Sequence, residues 1–238
     1  RVNTLLSNFD LIDGLSSADR NRIEAEAKFI RAFCHWQLVN TWAQPYGSTA
    51  NSSHLGIVLR EEPTNEALPR VAVSEAYDLI LRDLSFARTN LPLENGNYAN
   101  RYAANGLNAL VSMQMMDFQL AADFATAAMN GPYMLDSLDR FTPEVSNETI
   151  FGIVSFDIDN RNEALRENYR SDNNTNPQLG FSDDFVAFLN FSPSDERIDK
   201  WILPSSGRNL VRKFDKIVFN CPLIYMTQLK LIRAEALA

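Results

Sequence analysis

The sequence predicts a mainly α-helical fold, built from helical hairpins and completed by an irregular, loop-rich part with short strands. Before residue 132, apolar residues recur three and four positions apart, which is the period of one helix face. Serine, asparagine, aspartate, glycine and proline stand where these periodic segments begin and end. After residue 133 the helical period gives way to turn-rich sequence with short β-rich runs.

The pattern Ser16-Ser17-Ala18-Asp19 predicts the start of the first long helix, because serine and acidic side chains satisfy free amides there. The helix should extend to about Trp42, since Pro45 and Gly47 follow. An apolar stripe on it contains Ile23, Ala27, Ile30, Cys34 and Leu38. A second flank contains Phe29, Phe33 and Trp36, and polar residues including Arg31 and His35 occupy the rest. We therefore expect the stripe and the three rings to lie in the core, with Cys34 as a buried free thiol.

Three more helices are predicted before residue 132. One begins at Ser74 with the stripe Tyr77, Ile80, Leu84, Ala87 and Leu91, and Pro92 closes it. The next begins near Arg101, and a third is capped by Asp117 and stopped by Gly131-Pro132. The last two form an antiparallel hairpin, because almost no chain separates them. Leu107, Phe124, Ala127 and Pro132 match a partial tetratricopeptide pattern, which repeats about every 34 residues.

Short elements are predicted in the loop-rich part. The segment ETIFGIVSF should form a strand, DDFVAFLNF a short helix, and residues 157–182 a loop region. The segment SPSDERIDKWILP indicates mixed turns. Pro222 is predicted to begin the last helix, since the first helical turn needs no amide donor.

Composition excludes several function classes. The net charge of −8 disfavours binding to nucleic acid, whose phosphates would be repelled. Two histidines and two distant cysteines, Cys34 and Cys221, supply no metal-ligand spacing, and a disulfide between the cysteines stays open. No glycine-rich phosphate loop or catalytic motif is present. We expect no cofactor and no metal.

Five segments, in order, resemble the SusD-like (RagB) family. EAKFIRAFCHWQLVNTWAQPYG is similar to its aromatic helix with a closing Tyr-Gly, and RVAVSEAYDLILRDLSFARTNLP to its second helix. NRYAANGLNALVSMQMM with DFQLAADFATAAMN resembles its tetratricopeptide-like hairpin. YMLDSLDRFTPEVSNETIFGIVSF and KFDKIVFNCPLIYMTQLKLIRAEALA resemble two later landmarks. The resemblance implies a tetratricopeptide-like α-α superhelix.

The resemblance also implies the organisation and location of the protein. It suggests a single domain over residues 1–238, with a helical scaffold (1–132), a loop-rich ligand-facing region (133–221) and a return helix (222–238). Members are non-catalytic lipoproteins on the outer-membrane surface of Bacteroidetes-type bacteria. They capture glycans or other nutrients for a TonB-dependent transporter. Both ends of this chain are expected to be incomplete, so the lipid-bearing cysteine that anchors members to the membrane would lie outside it.

Candidate ligand residues are rings outside the helix stripes, because sugar rings stack on exposed aromatic faces. They are Trp42, Tyr46, Tyr98, Tyr169 and Trp201. The alternative explanation for each ring is ordinary packing of a loop on the scaffold. The alternative function is a tetratricopeptide-like scaffold that grips a protein partner and has no glycan ligand of its own. A glycan hydrolase is a third hypothesis, which release of sugar from a bound polysaccharide would support.

Overall fold

The computed structural model describes residues 1–137, 140–159, 167–169, 171, 177–191 and 194–238. The helices are α1 (Val2–Ser7), α2 (Ser17–Trp42), α3 (Val73–Asn90), α4 (Arg101–Gln114), α5 (Phe118–Met129), α6 (Asp183–Leu189), α7 (Arg197–Trp201) and α8 (Met226–Leu237). The strands are β1 (Thr149–Ile153), β2 (Ile202–Ser205), β3 (Arg208–Val211) and β4 (Cys221–Tyr225). The chain divides into two compact units, residues 1–135 with 224–238 and residues 136–223. Within the described residues, no helix has the length and apolar content needed to cross a bilayer.

The predicted caps set the helix starts in the first unit. Ser16 accepts a hydrogen bond from the Asp19 amide at 3.1 Å, and Asn100 accepts one from the Ala103 amide at 2.9 Å. Asp117 does the same for Leu120 at 3.2 Å. These bonds satisfy amides that have no partner inside the helix. The predicted helices before residue 132 and the predominantly helical fold class are therefore confirmed.

The core face of α2 differs from the predicted stripe. The buried side chains are Ala25, Ala27, Phe29, Ala32, His35, Trp36 and Val39. Cys34 is exposed with a free thiol and Leu38 is 42% exposed, so their predicted burial is wrong. His35, predicted on the polar face, is buried. The buried face carries Phe29 and Trp36, whose rings remove a large apolar area from water.

Sequential packing joins the helices of the first unit. Helix α2 packs on α3, α3 on α4, α4 on α5, and α5 also packs on α8. Helix α4 also packs on α8, and Gly106 of α4 allows a close approach to β4, since a Cβ added to Gly106 would lie 2.6 Å from the Ile224 methyl Cγ2. Arg31 on α2 and Asp83 on α3 form a buried ion pair across the first contact, with N–O distances of 2.7 and 2.8 Å.

The last helix begins later than predicted. Pro222 lies in strand β4, which pairs with β1, and α8 begins at Met226. Both strands of a two-stranded sheet are edge strands, where a proline that donates no amide hydrogen bond is tolerated. The extended backbone of Tyr225 (φ −149°, ψ 159°) then leads directly into the helix.

The second unit contains the other predicted short elements. ETIFGIVSF forms β1, and DDFVAFLNF forms α6, capped by Ser182. The segment predicted as mixed turns contains α7 and β2. Strand β2 pairs antiparallel with β3 through a turn at Ser206-Gly207, where both residues have positive φ, as a two-residue hairpin requires. Much of the predicted loop 157–182 lies outside the described residues.

Candidate ligand-binding cleft

The second unit contains a cleft of about 680 Å³. This volume falls in the range of about 300–1,000 Å³ that small-molecule sites occupy. The described residues that line it are Asp136, Ser137, Arg140, Phe141, Thr142, Ser146, Glu148, Lys200, Trp201, Arg212, Lys213, Asp215 and Lys216. They come from the segment before β1, from α7 and from the segment that follows β3.

The hairpin β2–β3 positions one wall of the cleft. Trp201 ends α7 immediately before β2, and its carbonyl accepts a hydrogen bond from the Arg212 amide at 2.9 Å. The Arg212 guanidinium donates to the Asp199 carbonyl at 3.2 Å. The strand pairing therefore holds the tryptophan next to the basic segment 212–216, although ten residues separate them along the chain.

Aromatic rings surround the ammonium group of Lys213. Its Nζ lies 4.5 Å from the centroid of Phe141, 5.4 Å from that of Trp201 and 5.7 Å from that of Phe214. The rings of Phe141 and Phe214 pack edge to face at 4.9 Å. The negative faces of aromatic rings attract a cation at such distances.

Burial lowers the pKa of Lys213, and the positive charge of Arg140 lowers it further, while Cys221 opposes the shift. The first two causes both disfavour the charged ammonium group. The aromatic faces and Cys221 are therefore the surroundings that favour the charge of this half-buried lysine.

Internal hydrogen bonds hold two of the carboxylates at the cleft. Asp136 accepts from the Ser146 hydroxyl at 3.0 Å and from the Asn147 amide at 2.7 Å. Asp215 accepts from both the amide and the hydroxyl of Ser171 at 2.6 Å. These acids therefore fix the loops around the cleft. Across the described part of the chain, no three histidine, cysteine or acidic residues group as a metal site would require.

Two of the five predicted ligand residues lie in the second unit. Trp201 lines the cleft, and the ring of Tyr169 packs against Phe214 at 5.4 Å. Trp201 therefore belongs to the aromatic surroundings of Lys213, whereas Tyr169 contacts one of those rings, Phe214.

The other three predicted residues lie in the first unit. Trp42 is 70% exposed and Tyr98 is 68% exposed. Tyr46 packs edge-on against Tyr77 at 4.9 Å, and burial raises the pKa of Tyr77 to about 12. Ligand contact by any of the five rings stays a prediction.

The cationic residues of the cleft were not among the predicted ligand residues. The segment RKFDK, residues 212–216, places three cations and a phenylalanine within five positions of an acidic chain. That local run was the available signal. Phe141 carried no such signal, and its positive φ of 64° is a property of the folded loop.

Comparisons with known proteins agree on one family. A SusD-like family model described as "Starch-binding associating with outer membrane" matches residues 1–113. The SusD-like protein P25 of Formosa agariphila is 31% identical over 161 residues, which is 64% of this chain and 29% of that protein.

Solved structures share the fold over almost the whole chain. A SusD superfamily protein from Bacteroides thetaiotaomicron superposes with a TM-score of 0.81 at 24% identity, covering 99% of this chain and 59% of its own. A laminarin-binding SusD-like protein superposes with a TM-score of 0.75 at 17% identity, covering 99% and 64%. The chain therefore spans less than two thirds of the length of these relatives.

Proposed function

We propose that this chain, which is similar to SusD-like proteins, is a non-catalytic protein that binds a glycan at the cleft around Trp201. The glycan would be passed to a TonB-dependent transporter at the outer membrane, where a lipid anchor would hold the protein on the cell surface. The matching family model, described as starch-binding, and a structural neighbour described as laminarin-binding support this substrate class.

The observation that carries the proposal is the composition of the cleft. An aromatic ring and several hydrogen-bond donors meet in one cavity, and sugars offer both apolar C–H faces and hydroxyl groups to such a surface. Each hydrogen bond to a neutral group contributes about 0.5–1.5 kcal/mol net, so several are needed for useful affinity. Trp201 is half-buried, which keeps its ring in place while part of it faces the cavity.

Affinity electrophoresis through gels cast with a panel of polysaccharides tests the proposal. The wild-type protein is expected to be retarded in at least one gel without releasing reducing sugar. Trp201→Ala should abolish this retardation, whereas Trp42→Ala, which removes an exposed ring of the first unit, should leave it unchanged. Loss on Trp42→Ala alone would move the binding site away from the cleft. Sugar release would establish the hydrolase, and retardation in no gel would favour the protein-binding scaffold.

A further inference from the structure

Building on the proposed function, we propose that the cleft selects an anionic glycan, and that Arg212, Lys213 and Lys216 bind its carboxylate or sulfate groups. The substrate class follows from the charge of the lining residues. Cations and hydrogen-bond donors arranged around an aromatic ring recognise acidic sugars better than neutral ones.

The charge of the cleft is opposite to that of the chain. The net charge of the chain is −8, yet the described lining residues include five cations and three carboxylates. The cations are Arg140, Lys200, Arg212, Lys213 and Lys216, and the carboxylates are Asp136, Glu148 and Asp215. Carboxylates outnumber cations in the whole chain, whereas cations outnumber carboxylates among the described residues that line the cleft.

Internal partners compensate only some of these cations. Lys200 pairs with Glu196 at 3.1 Å, and Arg140 lies 3.9 Å from Glu148. Within the described residues, Arg212, Lys213 and Lys216 form no ion pair. The nearest acid in sequence, Asp215, accepts hydrogen bonds from the amide and the hydroxyl of Ser171. Three positive charges at the cleft therefore have no carboxylate partner in the described structure.

The surroundings of Lys213 favour an anionic ligand most clearly. A partly buried ammonium group without an acidic partner carries a desolvation cost that aromatic faces offset only in part. A ligand anion at the cleft would supply the missing charge. A neutral glucan would leave the cation as it is and would add hydrogen bonds alone.

Paired polysaccharides with the same backbone test this inference. Polygalacturonate is compared with its fully methyl-esterified form, and dextran sulfate with dextran, by affinity electrophoresis at low and high salt. We expect retardation by at least one polyanion, none by its neutral counterpart, and weakening at high salt. Polygalacturonate alone would identify carboxylate recognition, and dextran sulfate alone would identify sulfate recognition.

Three variants locate the effect. Lys216→Gln, Arg212→Gln and Lys213→Met should each weaken binding of the retained polyanion about tenfold, since each removes a charge-assisted contact. Lys230→Gln, which removes an exposed cation of α8, serves as the charge-matched control and should have no effect. Circular dichroism verifies that Lys213→Met folds. Lys216 is exposed, so Lys216→Gln tests the proposal even if Lys213→Met fails to fold.

The outcomes separate the two proposals. Retardation by a neutral member of a pair that equals or exceeds retardation by its anionic partner, lost in Trp201→Ala, would overturn anionic selection and leave glycan binding standing. If Lys230→Gln and Lys216→Gln lose polyanion retardation to the same extent, the retardation depends on the net charge of the protein and not on the cleft. That result would also overturn anionic selection. No retardation by these four polymers or by the wider panel would overturn both proposals.

Discussion

Removing the carboxylate of Asp83 is expected to destabilise the helical unit by about 3–5 kcal/mol, because it leaves a buried arginine without its partner. Arg31 donates from Nε and Nη2 to the two Asp83 oxygens at 2.7 and 2.8 Å. The Asp83 side chain is 1% exposed and that of Arg31 is 10% exposed. The hydrogen bond to Asp83 raises the pKa of Arg31, which is charged at every relevant pH.

The size of this stability loss depends on the hydrogen-bond acceptors that remain around Arg31 when the Asp83 carboxylate is removed. Its other acceptors are the Asn3 side-chain oxygen at 3.4 Å and the Glu61 carbonyl at 3.5 Å. Contacts of this length cannot replace two short charge-assisted hydrogen bonds. Replacing both partners removes the unpaired charge, so the double variant Arg31→Met/Asp83→Leu should lose less stability than Asp83→Leu alone.

Urea unfolding at pH 7 measures the effect. In a Trp201→Phe background, the two remaining tryptophans, Trp36 and Trp42, both report on the first unit. The control is Arg82→Ala, which breaks an exposed 2.6 Å pair with Glu61 and should cost about 1 kcal/mol or less. If Asp83→Leu costs no more than this control, the buried pair does not stabilise the contact between α2 and α3 as argued.

Three further predictions concern the first unit. Burial lowers the pKa of His35 below 6.5, so the unfolded chain binds more protons than the folded chain near this pH. The free energy of unfolding should therefore fall as the pH drops below about 6.5. Urea unfolding of His35→Gln across pH 5–7 should show that this pH dependence is removed. Gly106→Ala should destabilise by about 1–3 kcal/mol in thermal unfolding, because its Cβ meets Ile224, and a stabilising effect would contradict the close packing. Gln114→Ala removes the acceptor of the Trp36 indole at 2.6 Å and should cost about 1–2 kcal/mol in urea, with Gln114→Glu retaining most of the stability.

Helix bounds could be predicted because their signals are local. A cap such as Ser16 or Asp117 contacts an amide three residues away, so the sequence contains both partners of the hydrogen bond. The stripe on α3, from Tyr77 to Leu91, is also buried as predicted, since its polar and apolar faces are clearly separated. The segment just before α8 does not show such separated faces. It forms strand β4 because it pairs with β1, which is distant in sequence, and this pairing places Pro222 in a strand.

The buried face of α2 could not be predicted from its period alone. Two apolar stripes share the same helical spacing, and one contains Cys34 and the other Trp36. Which stripe packs inward depends on partners such as Asp83, which requires Arg31 to face α3. The rotation of a helix is therefore a tertiary property when both of its candidate faces are apolar.

Under the proposed selection of an anionic glycan, the net charge of the chain is a weak guide to the charge of its ligand. Whole-chain charge acts over distances at which salt screens it, since the Debye length is about 8 Å at physiological ionic strength. A ligand in the cleft would contact lining residues such as Lys213 and Arg212 directly. The acidic surface then slows encounters with any polyanion, while the lining residues determine the affinity once the ligand is bound. An acidic protein with a basic cleft would therefore bind an acidic glycan through specific contacts and reject polyanions that do not fit.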